Sequence, residues 1–252
     1  MKKIFFCLLL LPFWVAAQEN EADSLKTKAS LSITGFWQDG NVQTFIFRTS
    51  SDIRFKSTNK WDFRTKNSYV YQAFGGTKAD EDILSLNFLS FNNEKKFHPI
   101  MLGFISTNFR REIEVRYLLG LGITYQIYRK EEDFLKFSLT SEFEQTNFNK
   151  TEFNIEEYNG SETIDTYRST IWISGKYHLF DKKVILRHES FYQPSLGRSN
   201  NYRWQVDIGA EFPLWKYLNF KVNYLHTFES IVIESQKRED RFITFGFTLK
   251  NF

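Results

Sequence analysis

The feature that most constrains this 252-residue chain is an alternation of apolar and polar residues at period two, sustained over stretches longer than an ordinary strand. Between positions 115 and 128, Val115, Tyr117, Leu119, Leu121, Ile123, Tyr125 and Ile127 share one face. Arg116, Gly120, Gly122, Thr124 and Gln126 share the other, with Leu118 out of pattern. Tyr202, Trp204, Val206, Ile208, Ala210 and Phe212 alternate in the same way with Arg203, Gln205, Asp207, Gly209 and Glu211. A third stretch, 166–179, sets Tyr167, Ser169, Ile171, Ile173, Tyr177 and Leu179 against Arg168, Thr170, Trp172, Ser174, Lys176 and His178. Such segments reach the roughly 9–11 residues that cross a bilayer as a tilted strand.

Composition sharpens this reading. The chain is 18% aromatic, with 28 Phe and 12 Tyr, yet 25% of its residues are charged and its mean hydropathy is −0.42. Beyond the first residues no apolar run approaches the roughly 18 residues of a membrane helix. A closed barrel reconciles the two properties, because lipid-facing aromatics alternate with polar residues that face inward. A secreted soluble sandwich or lipocalin-like barrel would show shorter strands and a polar outer face. An open sheet of this kind would aggregate at its edges. The fold class expected is therefore all-β: an antiparallel up-and-down transmembrane barrel.

The first segment is expected to be a secretory leader, not part of the fold. Lys2 and Lys3 precede an apolar run at 4–15, and Val15-Ala16-Ala17 supplies short residues before a cleavage point at Gln18. Lipidation at Cys7 is disfavoured, because Phe5 and Phe6 replace the small residues that should precede it and most of the apolar run follows it. Cys7 is the chain's one cysteine, so the exported part has neither a disulfide framework nor thiolate metal ligands. Loss of Lys2 and Lys3 takes the formal charge from +3 to +1, without the basic stripe of a nucleic-acid protein. The organisation expected is a signal peptide at 1–17, a periplasmic segment at 18–28 and a barrel at 29–252.

Turn chemistry divides the barrel into about twelve strands, near 29–37, 42–55, 61–73, 83–91, 97–109, 115–128, 134–144, 164–179, 184–193, 201–212, 217–228 and 241–252. The even-numbered connections are short, and the odd-numbered ones include the longest, at 74–82, 145–163 and 229–240. That asymmetry, with both termini on the short-turn side, is the pattern of an outer-membrane barrel whose long loops face outward. Trp61, Tyr71, Phe97, Tyr125, Tyr177, Tyr202, Trp204, Trp215 and Tyr217 gather near strand ends, where headgroups accept their polar edges. The chain ends on Phe252 after an alternating last strand, which resembles the signal read by barrel-assembly machinery.

Gly40-Asn41, the stretch Arg116-Tyr117-Leu118-Leu119-Gly120-Leu121-Gly122, Phe191-Tyr192-Gln193-Pro194 and the closing Phe245-Gly246-Phe247-Thr248-Leu249-Lys250-Asn251-Phe252 occur in an order that resembles the family called domain of unknown function 481. A name attached to that family is salt-induced outer membrane protein. The resemblance covers nearly the whole exported chain and implies a barrel with an outer-membrane address. It implies no activity and no site residues.

Candidate chemistry is sparse. His188 and Ser190 share an outward face, as in outer-membrane lipid deacylases, but Asp207 and Glu211 on the next strand have inward parity, so no acid orients the base. Asp80-Glu81-Asp82, Glu131-Glu132-Asp133 and Glu156-Glu157 lack the ordered ligand spacing of a calcium loop and are expected to be solvated turns. No metal or cofactor site is expected. The inward face carries Arg48, Arg64, Arg116, Lys136, Arg168, Arg187 and Arg203 together with Glu189, Asp207 and Glu211. Such a mixed-charge, slightly basic lumen either conducts small solutes or pairs across and plugs itself. The function expected is a non-enzymatic outer-membrane barrel with a structural or envelope-stress role. The alternatives are a small-solute pore and a lipid deacylase using His188 and Ser190. Expected partners are outer-membrane lipids and, during biogenesis, periplasmic chaperones and the assembly machinery.

Overall fold

The computed structural model describes residues 26–40, 43–57 and 60–250. The expected leader, Cys7, Asn41, Asn251 and Phe252 lie outside the described residues. Twelve antiparallel strands form a closed barrel in which each pairs with its sequence neighbours and β1 closes on β12. They are β1 Lys26–Gln38, β2 Thr44–Lys56, β3 Trp61–Phe74, β4 Thr77–Phe91, β5 Phe97–Asn108, β6 Ile113–Lys130, β7 Asp133–Phe148, β8 Thr163–Leu179, β9 Val184–Pro194, β10 Tyr202–Trp215, β11 Leu218–Glu229 and β12 Glu239–Lys250. The seam runs from Ser30↔Lys250 to Gly35↔Phe245. Closure leaves no edge strand to seed aggregation.

One rim, the turn end, carries both termini of the barrel and the connections 57–60, 92–96, 131–132, 180–183 and 216–217. The opposite rim, the loop end, carries 39–43, 75–76, 109–112, 149–162, 195–201 and 230–238. The long connection expected at 74–82 is instead a two-residue turn. Gly75 and Gly76 both take positive φ, +56° and +76°, the conformation a tight hairpin needs and glycine adopts without strain. The acidic run after it belongs to β4, where Asp80 is buried on the inner face, not to a solvated turn. β6 and β7 also run further than expected, their pairing reaching Ile113↔Phe148 through bulges at Ile113/Val115 and Gln126/Tyr128.

The period-two faces sort as their chemistry requires. Leu119, Leu121 and Ile123 are exposed on the outer surface while Leu118, Thr124 and Gln126 are buried inside. Rings pair at both rims: Trp61 with Phe91 at 4.9 Å and Phe97 with Tyr125 at 4.6 Å at the turn end, Phe143 with Tyr167 at 5.3 Å and Tyr202 with Phe228 at 5.4 Å at the loop end. One sector departs from the apolar rule. Ser51, Asn67 and Ser85 lie side by side on β2, β3 and β4 with outward parity, and Asn87 follows on β4. These groups satisfy one another: Asn67 Nδ2 donates to Thr65 Oγ1 at 3.1 Å, and Asn87 Nδ2 donates to Ser85 Oγ at 3.1 Å.

Candidate lumen site

Alternation on all twelve strands aims charged side chains inward, where each must find a partner or leave a charge unpaired at a cost of several kcal/mol. They pair in three tiers. Near the loop end, the fully buried Glu144 accepts from Arg168 Nε at 3.0 Å and from Arg203 Nη2, while Arg168 Nη2 stands 3.0 Å from the same carboxylate and donates to Asn201 Oδ1 at 2.9 Å. Arg116 forks onto Glu229, Nη1 and Nη2 each donating at 2.9 Å, and its Nε donates to Thr146 Oγ1 at 3.1 Å. Arg111 ties Glu229 at 3.0 Å to Asp240 at 2.8 Å. Gly120 makes room for this tier: a Cβ there would stand 2.4 Å from Glu142 Cγ. Removing one partner of such a bidentate, desolvated pair costs about 3–5 kcal/mol.

In the middle tier Arg64 pairs with Asp52, Lys66 with Glu189, and Arg48 with Asp207 at 3.7 Å. Arg187 Nε and Lys250 Nζ converge on Glu211 at 3.0 and 2.6 Å. At the turn end Arg54 and Asn93 Nδ2 both reach Asp62, the latter at 2.5 Å. Lys136 lies here too, its ammonium 5.4 Å from the centre of the Phe134 ring. Lys66–Glu189 joins β3 to β9, Arg48–Asp207 joins β2 to β10, and Arg116–Glu229 joins β6 to β11. Because none of these strands are neighbours, the pairs cross the lumen and divide it.

What space remains is a cavity of about 350 Å³. Arg48, Arg64, Arg187, Glu189, Arg203, Asp207 and Glu211 line it, whereas Arg116 and Arg168 sit in the packed tier beside it and Lys136 lies outside its wall. It reaches the loop end at Arg110, Arg111 and Asp240. The buried turn-end residues Asp62, Asn93, His98 and Ile185 are not among its walls, whereas Phe134, beside the β6–β7 turn, and Glu211 are. Its other side is apolar: Leu86, Leu102 and Leu118 form a buried cluster against which Leu84, Phe88, Phe104 and Trp172 pack. Phe88 of β4 meets Trp172 of β8 edge to face at 6.0 Å, across the barrel. The alternation pattern does not reveal this wall as a whole; its signals in the sequence are Leu118 and Trp172, each apolar on the polar face of an otherwise regular strand.

The connection 149–162 folds back over part of the loop end. Phe153 bridges to Ile233, Asn154 N–H donates to the Val232 carbonyl at 3.0 Å, and Ile113, Phe148, Tyr158 and Ile231 close a small apolar core around them. At the turn end, Glu132 accepts from Lys176 at 2.5 Å and from Lys28 at 3.4 Å, clasping the β6–β7 turn to β8 and β1. The Lys176 hydrogen bond is the largest influence and holds the Glu132 carboxyl down at about 2, against burial, which raises it.

Among the described residues, no carboxylate is hydrogen-bonded or ion-paired to His188 or Ser190. His188 Nε2 lies 3.4 Å from Tyr177 Oη, with the two rings stacked at 5.8 Å, and Ser190 is flanked across the sheet by Val206 and Ile173. Glu189 and Asp207 alternate onto the opposite face, where Lys66 and Arg48 hold them. Among the described residues, no group of three or more His, Cys, Asp or Glu side chains is placed to hold a metal ion.

A closed twelve-stranded barrel with an apolar, aromatic-rimmed outer belt and an ion-paired interior has the fold of a bacterial outer-membrane barrel, of porin-like type. Within that class the chain belongs to the family described as "Protein of unknown function, DUF481", whose model matches residues 31–250. Among solved structures it is similar to a NanC porin, at 8% identity, covering 88% of this chain and 100% of that one with a TM-score of 0.55. It also matches the translocator domain of the autotransporter NalP from Neisseria meningitidis, at 11% identity over 93% and 90% of the two chains, with a TM-score of 0.44. A further match is the OmpT of Vibrio cholerae, at 9% identity over 92% and 99%, also with a TM-score of 0.44. At these identities the likeness is one of fold. No curated protein matches the chain.

Proposed function

We propose that this protein is a non-enzymatic outer-membrane barrel with a structural role in the envelope, its lumen held shut by its own ion pairs. The observation that carries the reading is the set of pairs joining non-neighbouring strands across the lumen, Lys66–Glu189, Arg48–Asp207 and Arg116–Glu229. In this reading the leader is removed near Ala17-Gln18 and the turn end faces the periplasm. Outer-membrane lipids cover the belt, and periplasmic chaperones and the assembly machinery deliver the chain. Phe252 serves as the assembly signal; its deletion lowers the heat-modifiable folded band in membranes, and an unchanged band would refute that role.

A second reading, a narrow small-solute pore, is favoured by the cavity of about 350 Å³ that reaches the loop end. Liposome swelling separates the two. Vesicles carrying the folded barrel should swell in isosmotic arabinose no faster than empty ones, whereas swelling that scales with protein load would establish the pore.

A further inference from the structure

The two rims of the barrel carry unpaired charge of opposite sign. At the turn end each connection, or the residue flanking it, presents an exposed lysine that forms no ion pair: Lys60, Lys96, Lys130, Lys183 and Lys216. The acids there are mostly matched, Glu94 by Lys56, Glu131 by Lys182 and Glu132 by Lys28. Among the described residues Asp181 is the one exposed carboxylate left over at that rim. The loop end is the reverse: Asp39, Glu114, Glu152, Glu162 and Glu234 are exposed without an ion pair, against Lys237 and Arg238. Each turn-end lysine also stands within three residues of an exposed ring. Lys60 adjoins Trp61, Lys96 adjoins Phe97, Lys130 follows Tyr128, Lys183 follows Phe180, and Lys216 lies between Trp215 and Tyr217. The ammonium groups of Lys96 and Lys216 lie over rings, 5.2 Å from the centre of Tyr125 and 4.9 Å from that of Tyr217. Such rings settle where hydrocarbon meets headgroups, so they hold the lysines at the height of the lipid phosphates.

We propose that the turn-end rim binds anionic phospholipids, each lysine pairing with the headgroup of a lipid whose chains lie against the neighbouring ring. The inference rests on the membrane-spanning reading above and adds the class of lipid. Lipid fits better than a protein partner, because the lysines occur at every turn round the circumference, whereas a docked protein covers one side. Glu19, Glu21 and Asp23 precede β1 in the sequence, but three carboxylates on one segment cannot match a ring of lysines. One lysine at an anionic surface shifts association by about fivefold. The loop-end carboxylates repel the same headgroups, so the selectivity belongs to one rim.

The test is electron spin resonance of the barrel refolded into phosphatidylcholine vesicles, with spin-labelled phosphatidylglycerol or phosphatidylcholine as the probe. A membrane-spanning barrel gives a motionally restricted lipid component. In that component phosphatidylglycerol should be enriched at least about twofold at low salt, the fivefold effect at one rim being diluted by the other. The enrichment should vanish in 1 M NaCl, where the screening length is about 3 Å. Lys60→Gln, Lys96→Gln, Lys183→Gln and Lys216→Gln combined should abolish it, whereas Lys237→Gln with Arg238→Gln at the loop end should leave it unchanged. Heat-modifiable mobility checks that both variants are folded, and the salt series needs no variant. Equal restriction of the two lipids, enrichment that resists salt or survives the fourfold variant, or enrichment seen only after deletion of residues 18–25 would overturn the proposal. Absence of any restricted component would refute the membrane reading, and this inference with it.

Discussion

Glu144 and Ser190 show how one residue's place on the pleat decides what it can do. Glu144 points inward, is 1% exposed, and is tolerated there because Arg116, Arg168 and Arg203 converge on it. Ser190 has outward parity and stands across the sheet from Val206 and Ile173. This much was legible from parity alone, because a period of exactly two assigns every side chain to a face once the strand is recognised. What parity hid was the partner: Arg116 and Arg168 come from the flanking strands β6 and β8, but Arg203 comes from β10 and reaches Glu144 only because the sheet curves into a barrel, which no local pattern encodes. For Ser190→Ala we expect a normally folded barrel and an unchanged acyl-chain composition of phospholipid and lipopolysaccharide on overproduction, read by lipid mass spectrometry. A Ser190-dependent loss of acyl chains would restore the deacylase reading.

Strands were easier to read than their connections. The order and number of the twelve strands follow from alternation and turn residues, but β3 and β4 extend through a stretch that looks like a polar loop. The acidic residues there are inward-facing members of a strand, and Gly75-Gly76 needs only two residues to reverse the chain. The outward polar sector of β2–β4 escaped for a related reason: where both faces are polar, period two loses its contrast. At the turn end, the clasp of Glu132 on Lys28 and Lys176 gives one connection a pH dependence. Its folded value, about 2, lies below its ordinary 4.5, so its stabilisation is complete above about 4.5 and is lost as pH falls through about 2. Since the carboxylate is 42% exposed, screening limits the effect to under about 1 kcal/mol. Melting temperatures of the wild type should therefore exceed those of Glu132→Gln at pH 6, and the gap should close by pH 2. A gap that is constant or widens on acidification would contradict the assignment.

At the scale of the whole molecule, the barrel is apolar outside and ion-paired inside, and a slab of apolar side chains crosses its middle. The outer belt and the charged lumen were both visible in the sequence. The apolar slab was not, because Leu86, Leu102 and Phe104 look the same in a list of residues whether they meet lipid or one another; the shape of the closed barrel sorts them. At the turn end Arg54, Asp62 and Asn93 form a further polar cluster. The central claim, that the ion pairs and this cluster hold the lumen shut, is tested most directly by single-channel recording in a planar bilayer at neutral pH. Membranes shown to contain the folded wild type should carry no long-lived current steps, and Arg54→Ala combined with Asp62→Ala should introduce them. Uniform, stable steps from the wild type, or a folded double variant as silent as its parent, would contradict the account.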